Sequence, residues 1–294
     1  MQHVRPHLFA AVCLGFLAPS HGAAAELRLA GTDLLGLDFS RALYERSGPG
    51  GLVLALAFDG SRPGIDRLKS GRADLAVVVL PLEEESGLEA FECVPLAYHP
   101  VVVLVPKVLP LTQVSLDRLG WIFGAGDPGG SVHWSDLGAE GEWADNPVAL
   151  HAPAAGMGIA AEFFRHAVLG GRKFRSNVAR YDTRDELALQ FAGVSRALAL
   201  ANSPLPSPGA AKMVAVARRR GASAYLPTAE NLHSGDYPLR LPLRAVFRRE
   251  SAAMLRPLLR LLLSDELAPH FERAGFVPLP ASARHLQTAA LDKL

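Results

Sequence analysis

At 294 residues and 49% hydrophobic, the chain is long enough to bury a large core and to divide into two lobes, which excludes a disordered or fibrous protein. Its formal net charge of +1 comes from 30 basic and 29 acidic residues, a balance that argues against general binding to nucleic acid or to an anionic membrane.

The chain opens with Arg5, the apolar run Leu8 to Leu17, and then Pro19-Ser-His-Gly-Ala-Ala-Ala25, whose small residues suit cleavage. This pattern predicts a secretory signal peptide over residues 1–25 and a periplasmic or secreted protein beginning near Glu26. A membrane span needs about 20 unbroken apolar residues, roughly twice this run. Ala-Ala-Val before Cys13 is a poor lipoprotein signal. Removal of residues 1–25 leaves a formally neutral chain whose single cysteine, Cys93, can form no internal disulfide and is expected to be a small buried hydrophobe beside Val94.

Glu26 to Ala30 alternates as a strand, runs into Gly31-Thr-Asp33, and is followed by Leu34, Leu37, Ala42 and Leu43 at helical spacing. Gly48-Pro-Gly-Gly51 ends that helix, and Leu52 to Phe58 reads as an apolar parallel strand covered on both faces. The stretch from Phe58 to Pro81 organises the rest: a glycine-rich turn, a short amphipathic helix and a buried apolar strand. Gly60 and Gly64 permit conformations closed to other residues, and Ser61 stands at the expected N-cap, so N–H groups facing a polar ligand are predicted. An ordinary strand-to-helix connection would read the same way.

Val101 to Val105 begins a second sheet, and the first crossing between lobes falls at Tyr98-His-Pro100. Helices are predicted over Leu116–Phe123, Ile159–Val168, Asp185–Phe191, Met254–Leu263 and Ser264–Ala274, and strands over Pro147–His151, Ala197–Ala201 and Leu239–Phe247. Gly124 to Gly130 and the prolines of residues 203–208 are loops, and Ala152-Pro-Ala-Ala-Gly-Met-Gly158 repeats the strand, loop, helix pattern. The predicted fold class is α/β: two Rossmann-like lobes joined by a hinge, residues 26–98 plus 243–294 and residues 99–242.

Several stretches together resemble the periplasmic phosphate-binding proteins of ABC transporters, members of the type II solute-binding fold. Leu27-Arg-Leu-Ala-Gly-Thr32, Gly60-Ser-Arg-Pro-Gly-Ile65 with Ala73-Asp-Leu-Ala76, Ile122-Phe-Gly124 with Trp134-Ser-Asp-Leu-Gly138, His233-Ser-Gly-Asp-Tyr-Pro-Leu239 and Gly275-Phe-Val-Pro278 occur in that family's order. The resemblance implies a ligand held between the lobes, no chemistry and no cofactor. Protein partners would be an ABC transporter permease or a sensor, with no nucleic acid and no membrane insertion, and a monomer is expected. Its ligand loops fall on Gly31, Thr32 and Asp33; on Gly60 and Ser61; on Val79; and on His151, Ala155, Gly156 and Met157.

Here the chain departs from the family. Val79 replaces an aspartate that accepts the phosphate proton, His151 an arginine, and Ala155 and Met157 a serine and a threonine. Losing one member of the charged pair alone would strand a buried charge at about 3–5 kcal/mol, and losing both avoids that cost. The expected ligand is therefore a small anion or polar solute, phosphate is expected to bind weakly, and His151, if it faces the cleft, would strengthen anion binding as pH falls. Val79 and Met157 also fit another reading, a relative that binds no solute and acts as a sensor or interaction module. The histidines show no metal-ligand spacing, and no nucleophile elbow, dinucleotide or Walker pattern points to an enzyme. Arg218-Arg-Arg220 is expected to be a solvated helix end, with partner docking as the lesser reading.

Overall fold

A computed structural model describes residues 26–80, 87–126, 131–192, 196–203 and 210–293. The expected signal peptide, the last part of the 124–130 loop and most of the 203–208 proline loop lie outside them.

In chain order, β1 (Glu26–Gly31), α1 (Gly36–Ser47), β2 (Val53–Ala57), α2 (Ser61–Lys69), β3 (Leu75–Val79) and β4 (Glu92–Pro100) come first. There follow β5 (Val102–Pro106), β6 (Gln113–Ser115), α3 (Leu116–Phe123), β7 (Ala149–Pro153), α4 (Ala160–Ala167), β8 (Ala179–Tyr181), α5 (Arg184–Gln190) and β9 (Ala197–Ala201). The chain continues through β10 (Ala211–Met213), β11 (Ala215–Ala217), β12 (Ala224–Tyr225) and α6 (Ala229–Ser234). It ends with β13 (Arg240–Phe247), α7 (Ala252–Leu262), α8 (Ala268–Arg273), β14 (Val277–Pro278) and α9 (Ala281–Leu291).

Among the described residues these strands form a six-stranded sheet in the order β14-β4-β13-β3-β1-β2 and a five-stranded sheet in the order β10-β5-β9-β7-β8. β6, β11 and β12 make a small third sheet. In the first sheet β1 pairs in parallel with β2 and β3, as short α-helical crossovers require, whereas β13 runs antiparallel to both β3 and β4. β7 pairs in parallel with β8 and β9, and β5 and β10 close that sheet antiparallel. β1 and β5 thus belong to different sheets, as the two-lobe reading requires.

β3 is buried along its whole length, which explains its unbroken run of apolar residues. β2 is not covered on both faces: among the described residues it is the edge of its sheet, paired with β1, and Val53 is exposed. Cys93 corrects a second expectation, since it is exposed while Val94 beside it is buried.

The two crossings between sheets lie side by side. Arg240 pairs with Pro100 and Leu241 with His99, so the first sheet extends beyond Tyr98 and starts before Leu243, the boundaries read from the sequence. Backbone pairing continues there until both segments turn into the second sheet. Val101 N–H then donates to Leu239 O at 2.9 Å, and the buried Tyr237 hydroxyl donates to Val101 O at 2.6 Å. Burial pushes the Tyr237 phenol up, which keeps that donor protonated.

His99 sits at this crossing with 2% of its surface exposed, its ring edge-on to Phe276 and its Nδ1 buried without a partner among the described residues. Desolvation pushes the imidazole down to about 4. As pH falls below about 6.5 the unfolded chain takes up this proton before the folded one does. The stabilisation is therefore complete above about 6.5 and lost as pH approaches 4, amounting to about 3 kcal/mol. Urea unfolding at several pH values should show His99→Gln flattening the acid dependence by most of that amount; an unchanged slope would mean that His99 is not held neutral.

Candidate functional site

The first wall of the site is built from three strand ends. Gly31, at the end of β1, has φ +150°. A Cβ there would stand 1.9 Å from Val77 O, and one on Gly64 would stand 2.7 Å from Gly31 Cα. Only bare backbone lets α2 lie so close to β1. Gly60 N–H donates to Gly31 O and Thr32 N–H to Val77 O, both at 2.8 Å, so the turns after β1 and β2 are fixed to each other and to β3.

Ser61 is the first residue of α2 rather than its cap; the cap position is Gly60, with φ +133°. The Ser61 hydroxyl instead accepts from Val79 N–H at 3.0 Å, which leaves its own proton available to a ligand. Thr32 caps the short turn Asp33–Leu35, its hydroxyl accepting from Leu34 N–H at 3.3 Å.

These residues line a cleft of about 620 Å³ between the lobes. Thr32, Asp33, Leu34, Ser61, Arg62, Val79, Leu80 and Leu241 face it from the first sheet, and Ile159, Glu162, Phe163, His166 and Ala167 from α4 and its entry. The α4 residues fall at i, i+3, i+4, i+7 and i+8, one face of a helix. Ala160, Ala161 and Phe164 are buried on its other side. Glu162 accepts from Arg165 Nε at 3.0 Å and lies 2.8 Å from His166 Nε2. The Arg165 guanidinium holds the Glu162 carboxyl below its ordinary value. Gly158 completes the approach, since a Cβ there would lie 3.7 Å from Leu34 Cδ2.

Of the residues singled out from the sequence, Thr32, Asp33, Ser61 and Val79 line this cleft, and Gly31 and Gly60 form the backbone beneath it. His151, Ala155, Gly156 and Met157 are not among its lining residues. His151 is buried in β7, and burial pushes its imidazole below the ordinary value, so it is neutral near pH 7 and supplies no charge to the cleft. Ala155 and Gly156 are exposed on a short 3-10 turn, and Met157 packs against the cluster around Leu187 and Phe191. Arg62 and the α4 face were missed, although the spacing of Ile159, Glu162, Phe163 and His166 already marked a helix face combining acid, imidazole and aromatic groups. No group of three or more metal-ligating side chains occurs among the described residues.

Two α/β lobes with a cleft lined from both sides are the architecture of the type II periplasmic binding-protein fold. The PBP superfamily domain matches residues 22–266, and the chain belongs to that superfamily. It is 28% identical over 280 residues to phosphate-binding protein PstS of Pseudomonas aeruginosa, covering 88% of this chain and 85% of the relative. A possible phosphate-binding protein from Planctomyces limnophilus shares the fold with TM-score 0.67 at 19% identity, covering 92% of this chain and 98% of its own. PstS from Borrelia burgdorferi does so with TM-score 0.68 at 13% identity, covering 87% and 99%. Among the described residues no helix is long and apolar enough to cross a membrane.

Gly64→Ala should lower stability by about 1–3 kcal/mol, the ordinary cost of overpacking, because the added methyl meets backbone rather than a movable side chain. A urea midpoint unchanged from the parent would show that α2 can move away from β1 without cost.

Proposed function

We propose that this protein is an exported solute-binding protein that holds a small anion or polar solute between its lobes and presents it to an ABC transporter, without acting as an enzyme. The lobes in this reading are residues 26–100 plus 240–294 and residues 101–239, the divisions expected at 98/99 and 242/243 being moved by the pairing of Pro100 with Arg240, which marks the hinge. Thr32, Asp33 and Ser61 would contact the solute from one side and Glu162, Phe163 and His166 from the other. An interlobe cavity of about 620 Å³, within the size range of small-molecule sites, favours this over a relative that binds nothing.

The observation that carries the reading is the mixture of charge in the cleft. Asp33 and Glu162 stand on its walls together with Arg62 and His166. A phosphate dianion would meet two carboxylates there, and each charged hydrogen bond it fails to form forgoes about 1.5–3 kcal/mol. A solute offering both donors and acceptors can satisfy all of these groups. Phosphate should therefore bind with a dissociation constant above about 100 μM near pH 7.5, two such bonds being worth about two to four decades. Calorimetric titration with phosphate checks this, and low-micromolar binding would contradict it. In a thermal-shift screen of oxyanions, small carboxylates and amino acids, a true solute should raise the melting temperature, and the rise should vanish in Glu162→Ala combined with Ser61→Ala.

A further inference from the structure

A second concavity, of about 700 Å³, opens on the other side of the α3–α4 contact. Its cationic lining is Arg172, Arg175 and Arg218, and among its described lining residues Asp117 is the single carboxylate. Trp121 supplies an aromatic wall that is 49% exposed.

The pocket is built on fixed backbone. Gly124 and Phe174 form a β-bridge, Ala125 N–H donates to Lys173 O at 2.9 Å, and Arg175 N–H donates to Phe123 O at 2.8 Å. Arg175 is buried, its Nη2 donates to Trp121 O at 3.1 Å, and its guanidinium lies 5.3 Å from the Trp121 ring centre. It thus covers the C-terminal carbonyls of α3, whose partial negative charge would otherwise oppose an anion. Arg172 Nε donates to Leu169 O at 2.9 Å and Arg218 Nη2 to Gly235 O at 2.5 Å. For Arg172 and Arg218, a carbonyl partner positions the guanidinium without neutralising it. A Cβ on Gly126 would lie 3.7 Å from Arg172 Nη1, so the bare glycine backbone runs close beside this guanidinium. Asp117 is already engaged by Arg220 N–H at 3.3 Å. The basic run at residues 218–220 is not the helix end expected from the sequence but the turn that follows β11, and its first member reaches a pocket wall.

We infer that this pocket is a second binding site, separate from the cleft, for a small organic anion carrying two or more phosphate or carboxylate groups beside a flat portion. Guanidinium groups pair with such oxygens in bidentate fashion, and the Trp121 face receives the flat part.

ADP is a suitable probe, titrated into the protein while tryptophan fluorescence and heat are followed. Saturable binding is expected at about 20 mM salt, weakening several-fold at about 200 mM because exposed charges are screened. Arg172→Gln with Arg218→Gln should weaken it about tenfold or more, the loss of roughly one charged hydrogen bond. Both side chains are exposed, so the variant should keep the parent's melting temperature. Ser61→Ala, in the cleft, should leave ADP binding unchanged. Absence of saturation up to about 5 mM at low salt, far weaker than ordinary small-ligand sites, would overturn the proposal, as would binding unaffected by the double arginine variant. Loss in Ser61→Ala instead would place ADP in the cleft and overturn it. Tighter binding of an acidic peptide than of ADP at the same arginines would assign the pocket to a protein partner and equally overturn it.

Discussion

The close backbone contact between Gly31 and Gly64 is the constraint on which the site depends. Strand ends in a parallel sheet normally hold helices off by the thickness of side chains. Here no side chain intervenes: a Cβ at Gly64 would stand 2.7 Å from Gly31 Cα, and one at Gly31 would collide with Val77 O. The turns after β1 and β2 and the end of β3 therefore share one small volume, tied by Gly60 N–H to Gly31 O, Thr32 N–H to Val77 O, and Val79 N–H to the Ser61 hydroxyl. Placing two hydroxyls and a helix N-terminus at one spot requires this packing, and the solute wall follows from it.

The second wall is made differently. It is the side-chain face of α4, with Glu162 held between Arg165 and His166. One wall is backbone and fixed hydroxyls; the other is long side chains on a helix. The lobes that carry them are joined by two adjacent crossings, bonded through Val101 to Leu239 and Tyr237. Relative movement of the lobes would have to turn about this paired segment, where His99 is buried and neutral.

Much of this was legible in the sequence, and the failures have physical causes. Gly60 and Gly64 stood out because glycine permits backbone conformations closed to other residues, Gly31 through family position, and β3 because a strand buried along its whole length has no polar positions. β2 has the same apolar look but is an edge strand, a distinction made by its neighbours rather than by its own residues. β4 escaped notice because Pro95 breaks the strand signal. The structure tolerates Pro95 beside the irregular step between Leu243 and Arg244, where the ladder is already disturbed. His151 was assigned to the cleft through family position but is not among its lining residues, while the charged groups that do line it come from the turn after β1, from α2 and from α4.

Hydrogen exchange measured by mass spectrometry, with and without the solute that most raises the melting temperature, tests the central claim most directly. A solute held between the lobes should slow exchange at backbone amides of residues 31–34 and 61–64 on one wall and 159–167 on the other, in the same titration. Protection confined to one wall, or found away from both, would contradict the account.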